Sequence, residues 1–379
     1  MPLDRTPLDP GQLTDAVRKV LSGPPAAKLM AAKGLAPLKP SELAVVLYHL
    51  ALGEDAALRG AADKSIAELP EKIFASALAD ATLDPRVIDF YSGPVAARPV
   101  LVEVLLLNRS TSDTTVLDIV HKLGERELEM VAVNEQRLLR TPAIIGALYM
   151  NPKARMSTVD RLVELAVRNH VSNPGIPRWD DVVSVVTGQA VVKGELQEVP
   201  DIDSQFAAVA AVAIGADPSE FITLAPEDDL EIVNQTEQQK IEEGKKDIPI
   251  DKLSLSSKIR LATLGNAFAR AMLIRDTNKM VSLAAVNSPG MTDNEAIKYS
   301  ANRSLSDEVI RVIANTKEWT KLYPIKVNLA NNPKCPLPVS MRLLPHLHAR
   351  ELRNLSRSKG VPSALTAQAK KLLQAREPH

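Results

Sequence analysis

One cysteine and an aromatic content of 3% in 379 residues already exclude several kinds of protein. Cys335, being alone, cannot form an internal disulfide, so the chain is no disulfide-stapled secreted scaffold and is expected in the cytoplasm. A lone thiol reads as packing rather than chemistry. Scarce aromatics beside abundant Leu and Ala suit closely packed helices better than a β-sandwich. No apolar run approaches the roughly 18–20 residues that span a bilayer. The longest, around Val100–Leu107 and Ala207–Ile214, are short and flanked by polar residues, so no membrane insertion is expected. The opening Met-Pro-Leu-Asp-Arg-Thr has no basic stretch followed by an apolar one, and no signal peptide is expected either.

Motifs that carry chemistry are missing as well. The chain has no Walker-type or dinucleotide-binding glycine loop and no G-x-S-x-G elbow. His346 and His348 stand two apart, where a helical metal pair needs i, i+4 spacing, and their only close carboxylate is Glu351. His49, His121 and His170 lie singly beside apolar runs and are expected in the core or at its boundary. Asp180-Asp181 and Asp228-Asp229 are adjacent pairs whose side chains point apart, whereas acid–base or two-metal chemistry needs converging carboxylates. These patterns lead to no expected catalytic residue, cofactor or metal, and the chain reads as a binding protein rather than an enzyme.

What is present is a folded-protein composition, 45% hydrophobic and 24% charged, at a length that allows two or three domains or one elongated array. The 46 basic and 46 acidic side chains cancel, but unevenly along the chain. Residues 1–194 carry a net charge of −1, residues 195–251 a net −12 and residues 252–379 a net +13. Either the acidic segment folds back and masks the basic third, or that third is open to an acidic partner such as nucleic acid, a membrane surface or an acidic protein. Lys298, Arg303, Arg311, Lys317, Lys321 and Lys326 are spaced as on an ordinary solvated helix face.

The N-terminal part reads as helix after helix. Ala16, Val17, Val20 and Leu21 fall on one helical stripe that ends at Gly23-Pro24-Pro25. Ser41 is placed to cap the next helix and Gly53 to stop it, and Pro70 sits at the start of a third. A phrase then recurs: a helix end, a polar turn around an asparagine, and a new helix. Copies surround Asn108, Asn151-Pro152, Asn287-Ser-Pro289 and Asn332-Pro333, with a half-unit at Asn302. The first pair is 43 residues apart and the second 45. Asparagine tolerates left-handed geometry and can end a helix, and the proline cannot continue it. Ser157, Thr292 and Ser306 are then available as N-caps, with Glu295 in capping-box register to Thr292. Each copy is therefore expected to be a helix–turn–helix hinge with a period of about 40–45 residues.

The phrases around Asn151-Pro152 and Asn332-Pro333 resemble those of bacterial HEAT-like and variant leucine-rich repeat proteins, over about residues 100–170 and 258–373. The resemblance implies an all-α fold of helical hairpins, an α-solenoid, and transfers no catalytic residue. Between the two stretches, residues 172–203 hold few helical signals; Val182–Val186 and Gln189–Val192 are candidate short strands. Asn234–Asp251 is almost purely polar and cannot bury a core. The expected organisation is an N-terminal repeat lobe over 1–216 with an irregular segment at 172–203, an acidic and partly disordered linker over 217–252, and a basic repeat lobe over 253–379.

The richest candidate surface lies at the C-terminal end. Arg342, Arg350, Arg353, Arg357, Lys359, Lys370 and Lys371 fall within 30 residues, and Arg350, Arg353 and Arg357 occupy i, i+3 and i+7, a single helical face. The expectation is a cytoplasmic scaffold that binds a protein partner through repeat surfaces, with the basic stripe meeting an acidic segment. The alternative is sequence-nonspecific nucleic-acid binding by the same residues. Trp319 and Tyr323, the nearest aromatics, are expected to pack into the helix pair rather than stack bases.

Overall fold

The computed structural model describes residues 6–188, 202–215, 250 and 253–376. Among these the fold is all-α: 24 α-helices, a few 3-10 turns and no strand. None of the described helices is long and apolar enough to cross a membrane. The expected acidic linker at 217–252 lies, save for Ile250, outside the described residues, as does the candidate strand Gln189–Val192.

The chain divides into two compact units, Met1–Ile176 and Pro177–His379. The division comes earlier in sequence than the expected end of the first lobe at 216, because helices Trp179–Val186 and Ile202–Gly215 both pack on helix Leu255–Leu264. Buried Arg260 lies 4.7 Å from the ring centre of Phe206, and the Asn266 amide donates to the Ala213 carbonyl at 2.8 Å. Trp179–Val186 also corrects the expected strand at Val182–Val186. Trp179 and Val182, three residues apart, are the buried pair, and the Ser184 and Thr187 hydroxyls bond back to the carbonyls of Asp180 and Val183. Packing on one helical face overrides the β-branched composition.

In the N-terminal unit two layers alternate along the chain. Helices Pro40–Leu52, Glu71–Leu78, Pro99–Leu107, Glu125–Val133 and Met156–Arg168 lie side by side in the first. Pro85–Val95, Asp113–Ile119 and Ala143–Met150 form the second. The first-layer helices from Glu71 onward begin at residues 71, 99, 125 and 156, so the steps are 28, 26 and 31 residues. The C-terminal unit is built alike. Leu255–Leu264, Lys279–Val286 and Asp307–Asn315 stack in one layer, and Ala267–Leu273, Asp293–Ala301, Tyr323–Asn331 and Ala349–Arg357 follow one another in the other, in steps of 26, 30 and 26. The hairpin is thus shorter than the period expected from the asparagine phrases. Asn108 closes a first-layer helix and Asn151 a second-layer one, so their spacing covers one and a half hairpins. Asn287-Ser288 and Asn332 stand in the same relation.

Nor do the asparagines act through left-handed backbone. Asn108, Asn151 and Asn332 have φ of −71°, −85° and −92°. Their buried side chains reach back to the preceding hairpin instead. Asn108 Nδ2 donates to the carbonyls of Leu78 (2.6 Å) and Asp80 (3.1 Å), and Asn151 Nδ2 to those of Val120 (2.8 Å) and Leu123 (3.3 Å). Asn332 Nδ2 donates to the carbonyls of Ser300 (3.0 Å) and Asn302 (3.1 Å). Each Oδ1 accepts the amide two residues on, from Ser110, Lys153 and Lys334. At the Asn287-Ser288 turn the serine takes this part, its hydroxyl donating to the Thr263 carbonyl at 2.9 Å. One side chain thereby satisfies the last carbonyls of a neighbouring helix and shapes its own turn.

Capping follows the sequence in part. Thr292 and Glu295 form the expected capping box, and Ser306 caps Asp307–Asn315. Ser41 and Ser157 do not cap: their helices begin at Pro40 and Met156, with Lys39 and Arg155 as the boundary residues. Gly53 and Pro70 flank helices as expected. His121 and His170 are exposed rather than core or boundary residues; His170 takes φ of 57° just past helix Met156–Arg168.

Candidate interaction surface

The basic C-terminal surface rests on a compact apolar floor. Leu352 and Leu355, three residues apart on helix Ala349–Arg357, pack with Leu344, Leu347, Val361, Leu365 and Ala369. That packing fixes the helix's rotation and leaves Arg350, Arg353 and Arg357 on the opposite, exposed face. The helix start is fixed by Tyr323. Its hydroxyl donates to Glu351 Oε2 at 3.2 Å and accepts the His348 amide at 2.9 Å, while its ring lies 4.5 Å from that of His348. Tyr323 is therefore taken up in packing, as expected, and Trp319 is half-buried. Arg376 closes the far side, donating to the carbonyls of Leu347 and Pro345.

All seven residues expected from sequence to meet a partner are exposed. Arg342 sits on helix Leu337–Leu343, the three arginines on Ala349–Arg357, Lys359 in the turn that follows, and Lys370 and Lys371 on Ser363–Arg376, which packs against both helices. Among the described residues none of the seven takes part in an ion pair. Glu351 is the one acidic residue in 337–376, and its carboxylate is engaged by Tyr323. Elsewhere in the C-terminal unit Lys279 pairs with Glu308, Lys258 with Asp276 and Arg270 with Glu295, while Lys298, Arg303, Arg311, Lys317, Lys321 and Lys326 stand among more carboxylates than the seven do. The excess of positive over negative side chains is greatest where the last hairpin ends, with eight Lys and Arg against one carboxylate over 337–376.

Sequence reasoning passed over a second exposed surface, in the N-terminal unit. Val100, Leu107 and Val133 are exposed on the neighbouring helices Pro99–Leu107 and Glu125–Val133. The signal was in the run Pro99-Val-Leu-Val-Glu-Val-Leu-Leu-Leu107, apolar on every face of a helix that has only one face to bury.

Other polar groupings are engaged in internal bonds. A cleft of about 390 Å³ near the N-terminus is lined by Glu42, Asp80 and Asp84 among others. Each carboxylate already accepts internal bonds: Glu42 from Thr14 and Lys39, Asp80 from Thr82, Asp84 from Arg86. Among the described residues no three His, Cys, Asp or Glu side chains come together as a metal group. Asp181 pairs with Arg178, whereas Asp228-Asp229 lies outside the described residues. Cys335 is buried, and burial pushes its thiol pKa up, away from the reactive thiolate. No protein-family model, no curated protein and no solved structure matches the chain.

Proposed function

We propose that the chain is a non-catalytic scaffold or adaptor of the cytoplasm, an α-solenoid of the HEAT-like and variant leucine-rich repeat kind with a shortened hairpin. It holds an acidic segment of a partner protein on the basic surface of its C-terminal unit. One observation carries the reading: seven exposed cations within one hairpin and its closing helix, with no carboxylate partner among the described residues. Exposed charge left uncompensated at one place raises the potential there and steers a ligand of opposite sign. The same cations would neutralise phosphates, so nucleic acid is the competing ligand. Tyr323 is bonded to Glu351 and packed on His348 and so is already engaged rather than free to stack a base, which favours protein.

Capture on the immobilised full chain separates the two. A discrete protein that survives nuclease treatment, elutes with salt and is lost on charge reversal at Arg350, Arg353 and Arg357 supports the scaffold. Nucleic acid eluted by salt, with no such protein, overturns it in favour of phosphate binding.

A further inference from the structure

The apolar face in the N-terminal unit has a definite shape. Helices Pro99–Leu107 and Glu125–Val133 are adjacent first-layer helices, one hairpin apart. Advancing 26 residues maps Val100, Glu103, Val104 and Leu107 onto Arg126, Glu129, Met130 and Val133. In each helix these positions form the face opposite the buried one, which is Leu101, Val102 and Leu105 in the first and Glu127, Leu128, Val131 and Ala132 in the second. An ion pair crosses between the two faces, Arg126 Nη2 to Glu103 Oε1 at 2.9 Å, so they adjoin. Val100 is 56%, Leu107 73% and Val133 69% exposed, with Val104 and Met130 half-buried beside them.

The face is bounded. On the following first-layer helix the exposed side chains are Ser157, Arg161, Glu164 and Arg168, all polar; on the preceding one Lys72 and Ser76 flank Ile73. From Val100 to Leu107 is two turns, about 10 Å, and two packed helices add about 20 Å across. That footprint accepts a short helix laid over it. It does not suit a second copy of the chain: five side chains expose a few hundred Å², roughly half of the ~800 Å² per partner that a stable protein interface buries.

The charged rim adds selectivity. In both ion pairs that edge the face the arginine is the more exposed member: Arg126 at 77% against Glu103 at 26%, and Arg161 at 51% against Glu129 at 32%. The carboxylates are turned inward and the guanidinium groups outward.

We infer that this face docks an amphipathic helix of a partner protein, with apolar side chains at i, i+3 or i+4 and i+7 seated over Val100, Leu107 and Val133 and acidic residues flanking them to meet Arg126 and Arg161. The inference is independent of the basic C-terminal surface, which belongs to the other unit.

The test is selection on the full chain from a displayed library of helical peptides, apolar at i, i+4 and i+7 and randomised elsewhere. Enriched peptides carrying Asp or Glu beside the apolar positions are expected. Their affinity should fall about tenfold or more with Leu107→Asp and with Val133→Asp, and stay unchanged with Met30→Asp, an exposed apolar position on another helix. Leu107→Ser serves as the milder variant, and an unaltered helical signal and melting midpoint show that each variant folds. No enrichment, or peptides indifferent to both aspartates, overturns the inference. So does sedimentation showing that the wild-type chain self-associates and Leu107→Asp does not, since the occupant is then a second copy.

Discussion

The Arg270 guanidinium and the Glu295 carboxylate form a buried two-pronged ion pair between consecutive second-layer helices, Nε to Oε1 at 2.9 Å and Nη2 to Oε2 at 3.0 Å. Arg270 Nη1 also donates to the Gly265 carbonyl at 2.6 Å, and Glu295 closes its own helix by accepting from the Thr292 amide at 2.9 Å. Each member of the pair thus also holds a piece of backbone, Arg270 the Gly265 carbonyl and Glu295 the Thr292 amide. Arg270→Met leaves the carboxylate buried without its cation and is expected to cost about 3–5 kcal/mol in urea unfolding. A loss within about 0.5 kcal/mol, the scatter of an ordinary surface change, would show that the pair contributes little to holding the unit.

The same pair sets a pH dependence. Burial alone would push the Glu295 carboxyl up, but hydrogen bonds from Arg270 and Thr292 and the charge of Arg270 outweigh it and hold the group below the ordinary 4.5. Hydrogen bonding from Arg140 likewise holds Asp113 low, against the effect of burial and with help from Thr141. A carboxylate whose folded pKa is depressed stabilises the fold above its unfolded pKa, and that stability is lost as pH falls through the folded value. The melting midpoint should therefore change little from neutrality down to about pH 5 and decline below it. In Glu295→Gln the acid decline should be shallower; an unchanged acid limb would contradict the assignment.

Asn332 distinguishes two ways for an asparagine to end a helix. Were it a left-handed cap, Asn332→Gly would be neutral or stabilising. Its φ of −92° and its donation to the carbonyls of Ser300 and Asn302 predict the opposite. Asn332→Gly and Asn332→Ala should both destabilise by about 1–3 kcal/mol, because the buried Ser300 carbonyl, the half-buried Asn302 carbonyl and the Lys334 amide lose their partner. Chemical denaturation of the two variants decides it.

In the N-terminal unit, Gly146 lies where helix Ala143–Met150 meets the turn at Pro174. A Cβ there would stand 2.2 Å from the Pro174 carbonyl oxygen. Gly146→Ala should destabilise by about 1–3 kcal/mol despite alanine's better helix propensity. A gain in stability would mean that the turn yields without cost.

These residues also show how far the sequence could be read. The helical class, the Thr292–Glu295 box and the exposure of Arg350, Arg353 and Arg357 are local: each follows from spacing within one or two turns. The hairpin length was not legible, since Asn108 and Asn151 carry one phrase on helices of different layers, and only packing tells the layers apart. Arg260 against Phe206 joins residues far apart in sequence, so the assignment of Ile202–Gly215 to the C-terminal unit has no local signature. Arg270 and Glu295 stand 25 residues apart, so nothing local in the sequence pairs them. The apolar face escaped because Pro99–Leu107 is too uniformly apolar for periodicity to say which side is left uncovered.

The basic surface is tested most directly by titrating a fluorescent oligoglutamate peptide with the full chain, at low and high salt, beside the Arg350→Glu, Arg353→Glu, Arg357→Glu triple variant. The three side chains are exposed, so the variant should melt with the wild type. Binding that weakens with salt in the wild type and falls about tenfold or more in the variant is the expected result. Equal affinity in the two proteins, or no binding by the wild type at low salt, would contradict the proposal that this surface holds an acidic partner.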